Sequence, residues 1–429
     1  MFSKISVDPK LRKNFTKLLK ANVYVQVMSF LSIPIISRLF KPEDFGYLAV
    51  YSALVVVLAS ISTLRFDWLI PSVKLPNSAS HLFNFGFIFC LLFTVILSVV
   101  LSQNILAYGP NSFRVLQPVW FLIPLGVILV SLFNILKGWT TRTGELEIIA
   151  KITWKQSVVK IISNLFFGFM GINGIGLILS LNMSRVIGVI FTFNLLKKTL
   201  PLLFYSNIRK ANRILKVIIN KAILSSIISL INAFSTNIMV VTLAIYYSSS
   251  ELGLLVFANR IVAAPVGIAS RALSQSFWSR AAELTRAANY TLLKKEYIYI
   301  TIRLFYCALV VVLVTMIISQ LTEFIFGSNW KGAGEVLLCM TPLFLGTIIF
   351  VPTNHLIALK KPQLQLIADL TRVSLIIVSI LIAMYFDLPF TLAVFLCCSG
   401  SFIGYVILGA LHFYAHARLL KMPKAKDVI

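Results

Sequence analysis

Runs of about twenty apolar residues alternate with short polar gaps from residue 21 to residue 414. A helix rising 1.5 Å per residue needs that length to cross roughly 30 Å of hydrocarbon. The pattern predicts twelve spans, at 21 to 39, 46 to 64, 82 to 101, 119 to 136, 154 to 171 and 174 to 196, then 217 to 245, 252 to 270, 304 to 326, 334 to 358, 364 to 386 and 390 to 414. No segment shows the ten-residue apolar and polar alternation of a membrane barrel. The expected fold class is therefore an all-α integral membrane protein of twelve transmembrane helices. Ahead of the first span, Lys10 to Lys20 reads as an amphipathic helix on the membrane surface.

The stretch from Pro34 to Pro71 contains the end of one span, a tight polar turn, a second span and a charged exit at Arg65 and Asp67. A shift of 207 residues superposes Asp44, Phe45, Gly46, Tyr47 and Leu48 on Glu251, Leu252, Gly253, Leu254 and Leu255. It also carries Asn22 and Ser29 onto Ser229 and Thr236. Six spans is an even number, so both halves start on the same side of the membrane. The chain is expected to form two six-helix lobes, 1–200 and 201–429, related as a parallel repeat about an axis along the membrane normal.

Composition agrees: 59% of residues are hydrophobic, 12% are charged and the mean hydropathy is +0.91, outside the range of soluble domains. The net charge of +25 would suggest nucleic acid only if it gathered on one soluble face. It is instead divided among the polar gaps. Of the 39 Lys and Arg, 31 fall in gaps or at span edges on one side of the predicted membrane and 4 on the other (Arg38, Lys41, Arg114, Lys331); Lys160, Arg185, Arg260 and Arg372 lie deeper within spans. By the positive-inside rule both termini are cytoplasmic, and no nucleic-acid partner is expected. All six tryptophans fall at predicted span ends, where indole prefers the interface. The five cysteines, Cys90, Cys307, Cys339, Cys397 and Cys398, sit inside apolar runs and read as small hydrophobes. The basic start runs into a full-length span with no small-residue cleavage site, so no removable signal peptide is read. There is no GxxxxGK[ST], HExxH or GxSxG pattern, so the chain is read as a non-enzyme without a cofactor.

RLFKPEDFGYLAVYSALVVVLASISTLRFDWLIP resembles the second-helix signature of bacterial polysaccharide-unit flippases. ANRIVAAPVGIASRALSQSFWSRAA is similar to that family's eighth helix and following loop, and IFGSNWKGAGEVLLCMTPLFLGTIIFVPTNHLIAL to its ninth-to-tenth helix region. One departure is Asp67 and Trp68, where the family more often has a glutamate or small residue and then alanine. The family belongs to a superfamily with multidrug and toxin exporters and the flippase of the peptidoglycan lipid precursor. The resemblance implies a V-shaped pair of lobes around a central cavity lined mainly by spans one, two, seven and eight. It implies transfer of undecaprenyl-pyrophosphate-linked oligosaccharide from the cytoplasmic to the outer leaflet of the bacterial inner membrane. The partners implied are that lipid-linked oligosaccharide and membrane lipid, with a polysaccharide polymerase and a chain-length regulator beside them. The rival readings are a drug or metabolite exporter, whose cavity should be acidic or aromatic, and a polymerase or ligase, which needs a catalytic outer loop. The longest outer loop, about 102 to 118, carries one arginine and no acid or histidine.

The candidate substrate-binding residues follow from intramembrane polarity. Arg260 lies well inside span eight, and a guanidinium there costs roughly 2.5 to 3.5 kcal/mol unless a partner or a wet path receives it. Pyrophosphate is such a partner, and the planar fork suits it; the alternative is a structural pair with an acid of another span. Arg65 and Asp67 end span two, as interfacial anchors or as a mouth contact for pyrophosphate. At i and i+2 on a helix their side chains are expected to point apart. Arg185 falls near the middle of span six, facing the cavity, and Lys160 one turn from the inner interface, able to snorkel. Asp369 and Arg372, at i and i+3, are expected to neutralise each other. Polar stripes at helical spacing, Asn22, Gln26 and Ser29 in span one and Ser225, Ser229, Asn232 and Thr236 in span seven, either bind sugar hydroxyls or hold helices together. Pro34, Pro124, Pro265, Pro342 and Pro352 fall within spans, where proline frees backbone carbonyls.

Overall fold

The computed structural model describes residues 25, 27–73, 75–143, 145–197, 199–200, 208–262, 284, 289–350 and 362–420. Each of the twelve predicted spans contains a helix. In chain order they are α1 (Val27–Leu39), α2 (Pro42–Ser62), α3 (Pro76–Ser102), α4 (Leu122–Thr143), α5 (Leu146–Phe169), α6 (Gly174–Leu196), α7 (Ile208–Tyr246) and α8 (249–262). They continue with α9 (Tyr290–Phe326), α10 (Lys331–Cys339 then Thr341–Ile349), α11 (Pro362–Tyr385) and α12 (Phe390–Leu420). Among the described residues no strand occurs. Eight of these helices are long and apolar enough to cross a membrane, and the two pieces of α10, bent by 49° at a break, make a ninth if counted as one span. Pro342, at the start of the second piece, accounts for the bend: it has no N–H to give to the turn before it. Pro124 does not kink its helix; it is the third residue of α4, within the first turn, where backbone N–H groups have no helical partner anyway.

Contacts divide the chain into two compact units, Met1–Gly253 and Leu254–Ile429. In the first, α2 is the hub. It packs on α4, α6 and α7, and its Phe45, Tyr51 and Val55 are fully buried. Small residues at Gly46, Ala49, Ala53 and Ala59 let neighbouring backbones come close. The opposite situation holds on α3, where Leu92, Val95, Ile96 and Val99 recur at helical spacing and are all more than half exposed. In a membrane that stripe faces lipid. Beneath it Phe66, Ile70, Leu82, Phe83, Cys90, Ile135 and Trp139 form a buried cluster.

The repeated turn is built alike in both copies. The Asp44 carboxylate accepts the Lys41 backbone N–H (2.8 Å), and the Glu251 carboxylate accepts that of Ser248 (2.9 Å). Each acid stands at the third position of its helix and returns to the residue before it, which satisfies an N–H the helix leaves open. The two turns also meet. A Cβ on Gly46 would run into the Ser249 carbonyl, and a Cβ on Gly253 into the Pro42 carbonyl. Since Pro42 and Ser249 are themselves 207 apart, the contact is reciprocal, as across a two-fold axis.

In the second unit α11 pairs with α12, and α9 with both pieces of α10. Arg372 reaches Asp369 at 3.6 Å and hydrogen-bonds the Tyr405 hydroxyl at 2.8 Å, so this pair neutralises itself as expected. Two tryptophans near helix ends are buried. Trp330 is fully buried and stacks on Phe257 with centroids 3.8 Å apart. Trp139 is 7% exposed, and its indole N–H donates to the Thr199 carbonyl at 3.1 Å. Both indoles have a partner inside the protein near a helix end. Cys90, Cys397 and Cys398 are buried, whereas Cys307 is exposed on α9.

Candidate functional site

The polar centre of the first unit lies between α4, α5 and α6. A cavity of about 300 Å³ is lined by Val130 and Phe133 from α4, by Thr153, Gln156, Ser157 and Lys160 from α5, and by Leu181, Ser184 and Arg185 from α6. The α5 residues recur at i, i+3, i+4 and i+7, so one helix face presents them all. That face explains why α5, at 24 residues, is long enough to span a membrane yet is not among the helices apolar enough to qualify.

Arg185 and Lys160 are thus brought together. Arg185 is the eleventh residue after Gly174, roughly 16 Å along α6. The helix that carries Lys160 is longer than the apolar run. The helix starts at Leu146, eight residues earlier than the apolar run, because Lys151 does not interrupt helical backbone even though it interrupts hydropathy. Lys160 therefore stands fourteen residues from the start and nine from the end, at mid-helix. Lys155, which precedes it, places its ammonium 3.3 Å from the centroid of the Phe191 ring.

The Arg185 guanidinium is held on one side. Its Nη1 lies 3.4 Å from Asn182 Oδ1, which also takes a 2.8 Å contact from the buried Tyr51 hydroxyl; that hydroxyl is 2.9 Å from the Leu122 carbonyl. Gly126 makes room for this knot, since a Cβ there would collide with the Tyr51 oxygen and press on Arg185. Gly188 does the same for the Gln156 amide. Among the described residues the cavity wall includes no carboxylate.

Arg65 and Asp67 form a separate site beyond α2. Leu64 and Arg65 both take left-handed backbone angles (φ 45° and 56°), which end α2 and turn the chain into the short helix Phe66–Leu69. Two consecutive non-glycine residues there cost on the order of 1 to 2 kcal/mol each. The strain is held by Phe66, fully buried, and by Asp67, whose Oδ1 accepts from Thr63 Oγ1 at 2.7 Å. The expectation that Arg65 and Asp67 point apart is overturned: Arg65 Nη1 lies 3.8 Å from Asp67 Oδ2. The i, i+2 rule applies to continuous helix, and the reversal at Arg65 breaks the helix between them. From α4, Arg142 donates to the carbonyls of Ile70 (3.0 Å) and Val73 (2.5 Å), and Gly138 leaves space for the Asp67 carbonyl.

Of the remaining candidates, Arg260 is half-buried on α8 in the second unit, and no carboxylate pairs with it among the described residues. Ser225 and Ser229 are half-buried on α7 while Asn232 and Thr236 are exposed, the Thr236 hydroxyl turned back to the Asn232 carbonyl at 2.8 Å. The buried polar residues of α7 are instead Ser226 and Ser235. Ser29 is half-buried on α1, and Asn22 and Gln26 lie outside the described residues, as do Pro265 and Pro352. Tyr51, Asn182, Gln156, Thr153, Ser157 and Ser184 escaped the sequence reading. The polar face of α5 was the available signal.

The fold has close counterparts among solved structures. The lipid II flippase MurJ in an inward closed conformation superposes with a TM-score of 0.73 at 14% identity, over 94% of this chain and 89% of that one. A multidrug resistance MATE family transporter of the MOP superfamily, inward-facing, gives 0.65 at 16% identity, over 98% and 97%. A MOP superfamily transporter from Pyrococcus furiosus, described as having a binding pocket of reverse polarity, gives 0.58 at 15% identity, over 96% and 97%. No curated protein sequence matches the chain. The sequence profile of one family does match, over residues 35–335, which is most of the chain: the protein belongs to the polysaccharide biosynthesis protein family.

Proposed function

We propose that the protein is a flippase that carries undecaprenyl-pyrophosphate-linked oligosaccharide repeat units from the cytoplasmic to the outer leaflet of a bacterial inner membrane, by alternating access. The observation that carries this reading is the polar cavity at mid-helix in the first unit, with Arg185 and Lys160 in its wall and no carboxylate among its lining residues. A guanidinium such as that of Arg185, half-buried along a membrane helix and with no carboxylate in the cavity wall among the described residues, is costly and is kept for a charged partner. A cavity so lined repels organic cations, which argues against a multidrug exporter. Membership of a polysaccharide biosynthesis family supplies the saccharide side of the cargo.

In this reading Arg65 meets the pyrophosphate at the cytoplasmic mouth and Arg260 receives it deeper, while the α1 and α7 stripes meet sugar hydroxyls. The lobes are 1–200 and 201–429, the termini are cytoplasmic, and a polymerase and chain-length regulator take over the unit on the far side. Deletion of the gene is expected to trap complete lipid-linked units on the inner leaflet. Single units on the outer leaflet would instead mark a polymerase. Topology has its own check: alkaline phosphatase fused after Tyr108 should be active and the same fusion after Thr143 inactive, and the reverse result would invert the assignment.

A further inference from the structure

We propose that the basic end of α9 is a binding site for the headgroup of an anionic phospholipid, with Arg303 and Lys295 on its phosphate and Tyr299 and Tyr306 beside them. The helix is longer than a membrane needs: its 37 residues run roughly 55 Å, against about 30 Å of hydrocarbon. Its side chains show which part is immersed. Ile302, Tyr306, Val310, Leu313, Ile317 and Phe324 recur along one face, and each is more than half exposed. From Ile302 to Phe324 that stripe measures roughly 33 Å, one hydrocarbon thickness, so in a membrane it meets lipid. Past Ile302 the same face continues with the exposed Tyr299 and Lys295, and the exposed Arg303 borders it. At 3.6 residues per turn all of these positions fall within an arc of about 80°. Cations and tyrosines thus take over where the apolar stripe stops, at the level of the lipid phosphates.

The opposite face of this stretch is pinned. Leu293 and Tyr297 are buried with Ala368 of α11 and Leu408 of α12, and the Tyr297 ring stacks on His412 (centroids 4.9 Å apart) and meets Phe413 edge-on at 5.4 Å. A helix end held in this way presents its outer face without first having to order. On that face the Arg303 guanidinium lies 4.2 Å from the centroid of the Tyr299 ring, which steadies it and leaves its N–H fork for phosphate oxygens. Among the described residues no carboxylate pairs with Arg303 or Lys295; Glu296, the acid of this turn, is half-buried and engaged elsewhere. Charge then selects the lipid. Phosphatidylglycerol brings a net negative charge, whereas phosphatidylethanolamine carries an ammonium beside its phosphate, which cancels most of the attraction to two cations.

The test is native mass spectrometry of the full-length protein, delipidated in detergent and titrated with phosphatidylglycerol and phosphatidylethanolamine of the same acyl chains. Phosphatidylglycerol should bind roughly 10- to 30-fold more tightly, about 5-fold for each cation near an anionic headgroup. Lys295→Gln combined with Arg303→Gln should erase the preference. Arg213→Gln combined with Lys216→Gln removes the same charge from exposed positions on α7 and should retain it. Tyr299→Ala, which leaves both charges but takes the ring from beside Arg303, should weaken phosphatidylglycerol binding several-fold, and Tyr299→Phe should restore it. All four positions are exposed, or in the case of Tyr299 mostly so, and their replacement leaves the buried face intact. Equal binding of the two lipids would refute the site. Equal loss in the α7 variant would reduce it to diffuse surface charge, and undecaprenyl phosphate displacing phosphatidylglycerol at equal concentration would reassign it to a polyprenyl carrier; either result would overturn the proposal.

Discussion

Asp44→Ala is expected to destabilise the protein by about 3 to 5 kcal/mol, the largest loss from any single side chain in the repeated turns. The carboxylate is 5% exposed and takes two backbone N–H groups, that of Lys41 with Oδ2 at 2.8 Å and that of Gly174 with Oδ1 at 2.6 Å. One oxygen caps the helix Asp44 belongs to; the other caps the start of α6, 130 residues away in sequence. Hydrogen bonds to a charged acceptor contribute roughly 1.5 to 3 kcal/mol each, and their removal here leaves the buried Gly174 N–H and the partly buried Lys41 N–H unsatisfied. Glu251 is the built-in control. It makes the equivalent bond to Ser248 but sits at an exposed turn with no second helix to cap, so Glu251→Ala should cost only about 1 kcal/mol. Unfolding of each variant in detergent, followed by circular dichroism, measures the difference. Equal losses at the two positions would show that the bond to Gly174 contributes nothing.

The helices were legible in the sequence because lipid imposes one requirement on every span: each must hide its own backbone, and a long apolar helix does so. The 207-residue repeat was legible for a related reason, since a turn between two spans must cap a helix, and an acid three residues in does that whatever surrounds it. The start of α5 shows where the reading falls short. Hydropathy records side chains and not backbone, so the polar residues of α5 hid the first eight residues of its helix. Arg65 and Asp67 fail differently. Nothing in FDWL announces that the two preceding residues turn left-handed, because Leu64 and Arg65 are held there by Phe66 and Asp67 packing against α3 and α4, a tertiary cause. Trp139 and Trp330 show the same limit, each buried by partners remote in sequence.

Those failures have a common place. The positions where local rules gave the wrong answer, the polar face of α5 and the strained exit of α2, are positions the fold maintains at a cost, and both carry cations. Their settings differ in a way that separates their roles. Arg65 has its carboxylate 3.8 Å away and is partly neutralised before any cargo arrives. Arg185 has only amide and hydroxyl oxygens about it, so its charge remains available. A group that must release its cargo is well served by a partner that competes with it, and a group that must hold its cargo is better without one.

Arg260→Ala is expected to abolish export of the polysaccharide unit while leaving insertion intact and stability unchanged or slightly higher. The residue stands eleven positions into α8, roughly 16 Å from its start, and no carboxylate pairs with it among the described residues. An unpaired guanidinium at that depth is a burden of about 2.5 to 3.5 kcal/mol, so its removal should relieve the empty protein. That sign is what distinguishes the cargo-binding role proposed for Arg260 from a structural one, since breaking a buried ion pair strands the other charge and destabilises by about 3 to 5 kcal/mol. Arg260→Lys refines the test. It retains the charge but loses the planar fork that meets two phosphate oxygens at once, so export should recover only in part. Surface polysaccharide and thermal unfolding would be measured on the same variants. Normal polysaccharide in Arg260→Ala, or lost export together with a drop of several kcal/mol in stability, would remove Arg260 from the transport path.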